Sequence, residues 1–429
     1  MNKKTQESWK HQIVCLVVFG SLVTLFSGRV SGEESRRLPV AEYRDRMAAG
    51  WIGQMVGVGW GAPTEFRFKG EIIPEGKVPK WTPGMVNQFN QDDLYVEMTF
   101  LRTMELSGLD CSIRQAGIDF ANSGYRLWHA NKAGRDNLRK GIAPPDSGHP
   151  KFNAHADDID YQIEADFSGL IAPGMPNAVI EMGEKFGRLM NYGDGVYGGQ
   201  FVGGMYAEAF FENDPLKLVE AGLACVPPES LFAECLRDTV RWWKENPDDW
   251  KKTWQLIEDK YQSNPANRKF SCSGPEAPFN IDAKINAAYI VMGLLYGERR
   301  MEDTIVVSMR CGQDSDCNPS NAAGVLATTI GKSRLMPRFV SKLSPEGVFS
   351  HTAYSFPMLL EVCEKLARQA VVKHGGRIEK TAEGDVFVIP VKKVKPSELE
   401  QCWQPGPPAG SVFTKDEREK IKTTRSTDK

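Results

Sequence analysis

None of the nine cysteines forms a C-x-x-C spacing, so neither a zinc knuckle nor a dithiol redox motif is suggested. The six histidines are scattered along the chain, which argues against a histidine-rich transition-metal site. There is no excess of positive charge: 53 basic residues stand against 55 acidic ones, and no basic stripe is interleaved with aromatics. Nucleic acid is therefore not an expected partner. After Phe26 no run is long and apolar enough to cross a bilayer. Strand signals are rare and no repeat of fixed period stands out. The glycine-rich loop Asn191-Tyr192-Gly193-Asp194-Gly195 lacks the Gly-x-x-x-x-Gly-Lys pattern and follows no strand, so a nucleotide fingerprint is not supported.

What is present begins with an address. Lys3, Lys4 and Lys10 precede an apolar run from Ile13 to Phe26, and Val30-Ser31-Gly32 offers small residues for cleavage. Residues 1–32 thus read as a signal peptide, and the mature protein as exported, periplasmic or extracellular, with no stable membrane span once the signal is removed. The remainder is long enough for a sizeable core, and 41% hydrophobic content supports one.

Helical periodicity dominates that remainder. Tyr43, Met47, Trp51, Met55 and Val58 recur at helical spacing from Val40 to Gly59. Further helical patterns cover 110–135, 177–191, 198–212, 213–262 and 282–300. One strand is expected within 385–394, pairing with the Arg377-Ile378 region across a turn at Gly384. The expectation is an all-α domain over 37–372, a small β appendage over 373–403 and a disordered tail from 404 to 429, where Pro, Gly, Lys and Thr replace periodic apolar residues.

Two acidic runs precede helical patterns. In Cys311-Gly312-Gln313-Asp314-Ser315-Asp316-Cys317-Asn318-Pro319, an extended backbone would point Asp314 and Asp316 the same way, so that both could serve one cation. Pro319 suits the first turn of the helix that follows and Gly331 its stop. Asn90-Gln91-Asp92-Asp93 precedes a second helix. Either run alone suits a helix cap or a solvated turn as well as a metal site. Together they suggest helix ends converging on one acidic pocket, where a divalent metal with oxygen ligands would offset the like charges. A third stretch packs Asp157, Asp158, Asp160, Glu164 and Asp166 into ten residues. As one helix it would place Asp157, Asp160 and Glu164 on a single face, either solvated or lining a pocket. Asp194 would cap the next helix beside Asn191, at a loop where backbone could approach a ligand.

Taken together these motifs resemble the ADP-ribosylglycohydrolase family. Its glycine-rich first helix ending in a glutamate has a counterpart in Gly61-Ala62-Pro63-Thr64-Glu65. Its Thr-Asp-Asp has one in Gln91-Asp92-Asp93, and its late Gly-Gly-Asp-Thr-Asp-Thr run one in Gly312-Gln313-Asp314-Ser315-Asp316-Cys317. The resemblance implies an all-helical fold and two magnesium or manganese ions, ligated by Asp92, Asp93, Asp314 and Asp316. Gln91 and Cys317 stand where threonines usually lend hydroxyls. It further implies proton transfer by one of Glu65, Asp93 and Asp158. The middle of the chain departs from the family's Asn-Gly…Met-Arg pattern, and there the acids Asp157, Asp160, Glu164 and Asp166, with Asn191 and Asp194 of the glycine-rich loop, are the residues expected to recognise a sugar. The expected activity is metal-dependent hydrolysis of an ADP-ribosyl or related ribosyl bond in a small-molecule or protein-linked sugar. Two alternatives are an exported glycosidase acting on another sugar and a non-catalytic binding protein on the same fold.

Overall fold

Apolar side chains recurring every three or four positions leave Val40–Gly61 little choice but to be a helix, and it is one, α1, buried on nearly every side. The computed structural model describes residues 34–421. Residues 1–33, which include the expected signal, and residues 422–429 lie outside the described residues. Short helices follow α1: α2 (Asp92–Ser107), α3 (Ile113–Ala121), α4 (His129–Arg139), α5 (Asp160–Ile163), α6 (Asp166–Leu170) and α7 (Pro176–Phe186). The 213–262 region, after the small-residue helix α8 (Asp194–Ala209), is broken into α9 (Pro215–Leu223), α10 (Leu231–Glu245) and α11 (Trp250–Ile257). The breaks have local causes. Asp214, Ser230 and Asp249 each cap the N-terminus that follows through a side-chain oxygen, and Pro215, Pro227 and Pro247 cannot continue a helix interior. Then come α12 (Ala283–Tyr296), α13 (Met301–Arg310), α14 (Cys317–Ile330), α15 (Pro337–Val340), α16 (Phe356–Lys373) and α17 (Lys415–Lys420). None is long and apolar enough to cross a membrane.

What positions the site is the contact of α1 with α14. A Cβ added at Gly53 would fall 2.4 Å from the Ala323 carbonyl oxygen, and one at Gly57 would fall 2.3 Å from that of Pro319. The two backbones therefore touch, and the end of α1 is carried to the start of α14. The latter begins at Cys317, takes Pro319 in its first turn and stops at Gly331, which has φ +85°.

Three antiparallel strands, β1 (Ser35–Pro39), β2 (Arg377–Thr381) and β3 (Gly384–Pro390), pair in the order β1-β3-β2. The expected β2–β3 hairpin is present, with Arg377 opposite Val388. The sequence did not suggest β1, which pairs Ser35 with Pro390 and Leu38 with Phe387. Phe387 packs on Tyr43 of α1 at 5.2 Å between ring centroids, so the sheet is seated on the helical body. The helices and the sheet belong to one compact unit that begins at Glu34.

The expected disorder from 404 is corrected over 404–421. Asp146, itself buried, accepts the backbone N–H groups of Ala409 and Ser411, each at 2.8 Å. Arg114 forms an ion pair with Glu417 at 2.5 Å, and the Cys402 thiol donates to the Tyr192 carbonyl. Polar anchors of this kind fix a segment that has no apolar periodicity of its own.

Candidate metal centre and substrate cavity

Three stretches far apart in sequence meet at one point. A short turn, Ala62–Thr64, ends α1 and delivers Glu65. It is tied to the Asp314 segment by Thr64 Oγ1 and Ser315 Oγ at 2.8 Å, by the Phe66 N–H donating to the Gln313 carbonyl at 3.0 Å, and by the Gln313 N–H donating to that of Phe68 at 2.8 Å. Residues 312–316 are not extended as the sequence pattern suggested. Gly312 and Gln313 are left-handed, φ +82° and +54°, so the run is a tight turn that still brings Asp314 and Asp316 together. Asp92 and Asp93 open α2. Ligand atoms of Asp314, Asp316 and Cys317 all lie within 4.8 Å of one another.

These acids carry the marks of crowding without a counter-charge. Burial and then the charges of Asp316 and Asp92 push Glu65 up to about 8. Burial and then Asp316 raise Asp92 to about 6. Asp93 and Asp314 are held well above the usual carboxylate range by the same two causes. No lysine or arginine figures among the charges acting on them. One oxygen each of Asp93 and Asp314 is buried without a hydrogen-bond partner. Carboxylates on three converging segments, two of them with an orphaned oxygen, are a donor set suited to a hard divalent cation, so the residues present fit magnesium or manganese. Cys317 is the weak member. Burial and its acidic neighbours push its thiol up, and it donates to Asp93 Oδ2 at 3.2 Å, so it occupies a carboxylate oxygen and offers the cation no hydroxyl.

Glu65, Gln91, Asp92, Asp314 and Cys317 face a cavity of about 440 Å³. Trp128 and Phe279 give it apolar walls, Asn131 and Asp160 polar ones, and Lys69 its one lysine or arginine. A larger cavity of about 630 Å³, beside Glu258 and Pro278, holds none of these acids.

The acidic middle segment divides. It is not one helix: Asp157 and Asp158 precede α5, and Asp166 begins α6. Asp160 reaches the cavity, where its oxygens accept the backbone N–H groups of Ala130 and Asn131 at 3.2 and 2.8 Å, and burial raises it to about 7. Glu164 lies behind it and accepts from the Asn131 amide. Asp158 meets His155 at 2.6 Å and His129 at 3.5 Å. The others do not line the cavity. Asp166 accepts from Asn321 of α14 at 2.8 Å, inside the helical body. Asp157 and Asp194 face Lys284. Asn191 is a strut, accepting from the Tyr161 N–H and donating to the Ala156 and Asp158 carbonyls. Trp128, His129, Asn131 and Phe279 line the cavity without any local spacing that marks them. The one sequence cue is the burial expected of isolated aromatics.

The ADP-ribosylglycohydrolase family model matches residues 39–374. A solved structure described as an ADP-ribosylglycohydrolase-related protein complex aligns over 77% of this chain and 99% of its own, at 13% identity and a TM-score of 0.48. Among curated proteins none matches the sequence. The matched span contains α1, the start of α2, the acidic cavity and α14, and covers well over half the sequence. On that match the chain belongs to the ADP-ribosylglycohydrolase family.

Proposed function

We propose that the cavity hydrolyses a glycosidic bond of an ADP-ribosyl or related ribosyl conjugate, using magnesium or manganese held by Asp92, Asp93, Asp314 and Asp316. The observation that supports this reading is the convergence of five carboxylates on one place, with Lys69 the one lysine or arginine lining the cavity they face. A cation bound there supplies Lewis acidity toward sugar hydroxyls and water, and lowers the cost of gathering the acids. Glu65 faces the cavity and, with its carboxyl held to about 8, carries a proton at neutral pH when no cation is bound. In the metal-bound enzyme Glu65 would be the acid/base candidate, since a proton it carries could pass to a leaving group and the carboxylate left behind could orient water. Asp160 and Asn131 offer hydrogen bonds to ring hydroxyls, while Trp128 and Phe279 present flat apolar faces to a sugar or its aglycone.

One observation favours a second reading, a glycoside without a diphosphate. Lys69 is the one lysine or arginine lining the cavity, against Glu65, Asp92, Asp160 and Asp314. A diphosphate would bring further negative charge into that wall. Export, as expected from residues 1–32, agrees with such a substrate. The test is hydrolysis of ADP-ribosyl-arginine, ADP-ribosyl-serine and a panel of aryl glycosides by the purified mature protein, with magnesium, manganese or chelator. Chelator-sensitive ADP-ribose release supports the first reading, and cleavage of glycosides alone the second. No cleavage of any of them would sink both in favour of a binding protein.

A further inference from the structure

His129, His155, Asp158 and Cys272 come from three separate segments: the first turn of α4, the run ahead of α5, and the 263–282 loop. One ligand atom from each lies within 4.8 Å of every other. His155 Nδ1 is 2.6 Å and His129 Nδ1 3.5 Å from the same Asp158 oxygen, and the Cys272 thiol also hydrogen-bonds Asp158. A tetrahedron with arms of about 2.1 Å has edges of about 3.4 Å; the His129–Asp158 separation of 3.5 Å matches it, while His155 and Asp158, hydrogen-bonded at 2.6 Å, would move slightly apart around an ion.

Two further observations point to a ligand. Asp158, fully buried, has its other oxygen without a hydrogen-bond partner, and His129 Nδ1 is a buried atom that makes no hydrogen bond. His129 also holds a left-handed backbone, φ +37°, which costs energy for a residue with a Cβ and is kept only where surroundings over-determine it. Neighbouring Asp282 does not explain the cluster, because Lys284 and Arg268 already stand 3.4 and 3.8 Å from it.

We propose that these four residues form a second metal site, for zinc or a similar borderline-soft dication, distinct from the acidic centre, with His129 also lining the same cavity. Two neutral imidazoles, a carboxylate and a thiolate carry two negative charges, which one dication cancels. The thiol proton goes to solvent as the metal–sulfur bond forms. Imidazole and thiolate donors suit zinc and not magnesium, whereas the all-oxygen centre suits magnesium or manganese. The bound ion would clamp the 263–282 loop, and with it Phe279 stacked 5.8 Å from His129, against α4. The inference does not depend on which bond the cavity cleaves, or on whether it cleaves any.

The test is cobalt(II) and zinc titration of the purified mature protein. One equivalent of cobalt should give a near-ultraviolet thiolate charge-transfer band with tetrahedral visible absorption, in the wild type and equally in Asp314→Asn. Cys272→Ser should lose the thiolate band, and His155→Ala should weaken zinc binding by about tenfold or more. A second readout needs no variant. Cys272 is the one partly exposed cysteine among the described residues, so a stoichiometric amount of zinc should protect it from alkylation of the native protein, read by mass spectrometry. Absence of the thiolate band in the wild type, its persistence in Cys272→Ser, or alkylation of Cys272 unaffected by zinc would each overturn the proposal.

Discussion

At Asp314 a single oxygen separates the carboxylate from its amide, yet that change should be decisive. Asp314→Asn removes one of the orphaned oxygens and keeps the shape. Turnover should fall roughly 100-fold or more, with less bound magnesium or manganese by elemental analysis; wild-type turnover would count against metal catalysis. Protons compete for the same oxygens. Glu65 is raised from its ordinary 4.5 to about 8 and Asp92 from 3.8 to about 6. A carboxyl raised on folding contributes stability present below its unfolded pKa and lost as pH rises through its folded one. With chelator present, thermal stability should therefore decline between about pH 4 and pH 8 from these groups, and added manganese should recover most at the alkaline end. A flat profile, or recovery confined to acid, would contradict this account. At this scale the acidic centre was legible because each ligand run is short and directly precedes a helix. Asp157 and Asp166 do not line the cavity because the chain turns between Asp158 and Asp166 where the spacing suggested one unbroken helix, and Asn191 and Asp194, from a separate loop, face Ala156, Asp158 and Lys284 instead. His129, His155 and Cys272 carry no shared spacing, and only tertiary packing joins them.

Among the elements, α1 and α14 decide whether the centre exists. Their backbones meet at Gly57, and at Gly61, where an added Cβ would fall 2.2 Å from the Ser315 carbonyl oxygen. Backbone on both sides cannot move aside as a side chain would. Gly57→Ala should therefore force the helices apart and cost roughly 1–3 kcal/mol, seen as a lower urea midpoint, with metal affinity falling in step as Glu65 withdraws from Asp316. An unchanged midpoint would mean that α14 can shift without penalty. Helix α1 was readable from its apolar spacing and α14 from Pro319 and Gly331. The breaks between α9, α10 and α11 were not read, although Asp214, Ser230 and Asp249 with their nearby prolines signal them locally.

Over the whole molecule, the last part of the chain runs back over the helices it follows. Tyr197 donates to the Glu398 carbonyl, Arg188 pairs with Glu400, and buried Asp146 accepts from Ala409 and Ser411. Composition hid this strap, since polar anchors and backbone hydrogen bonds leave no periodic trace. Removing 397–429 should cost several hydrogen bonds at about 1 kcal/mol each, and one kcal/mol shifts Tm by roughly 2–4 °C in a large domain. Calorimetry on the truncated protein should show that drop with manganese binding retained, and an unchanged Tm would show the strap to be passive. The sheet has a different consequence, for synthesis. Strand β1 finds its partner only when Pro390 has been made. At about 5–20 residues per second, Ser35–Pro39 waits unpaired for roughly 20–70 s on a translating ribosome. It is short and carries Arg36 and Arg37, the features that keep a lone strand from joining a neighbouring nascent chain.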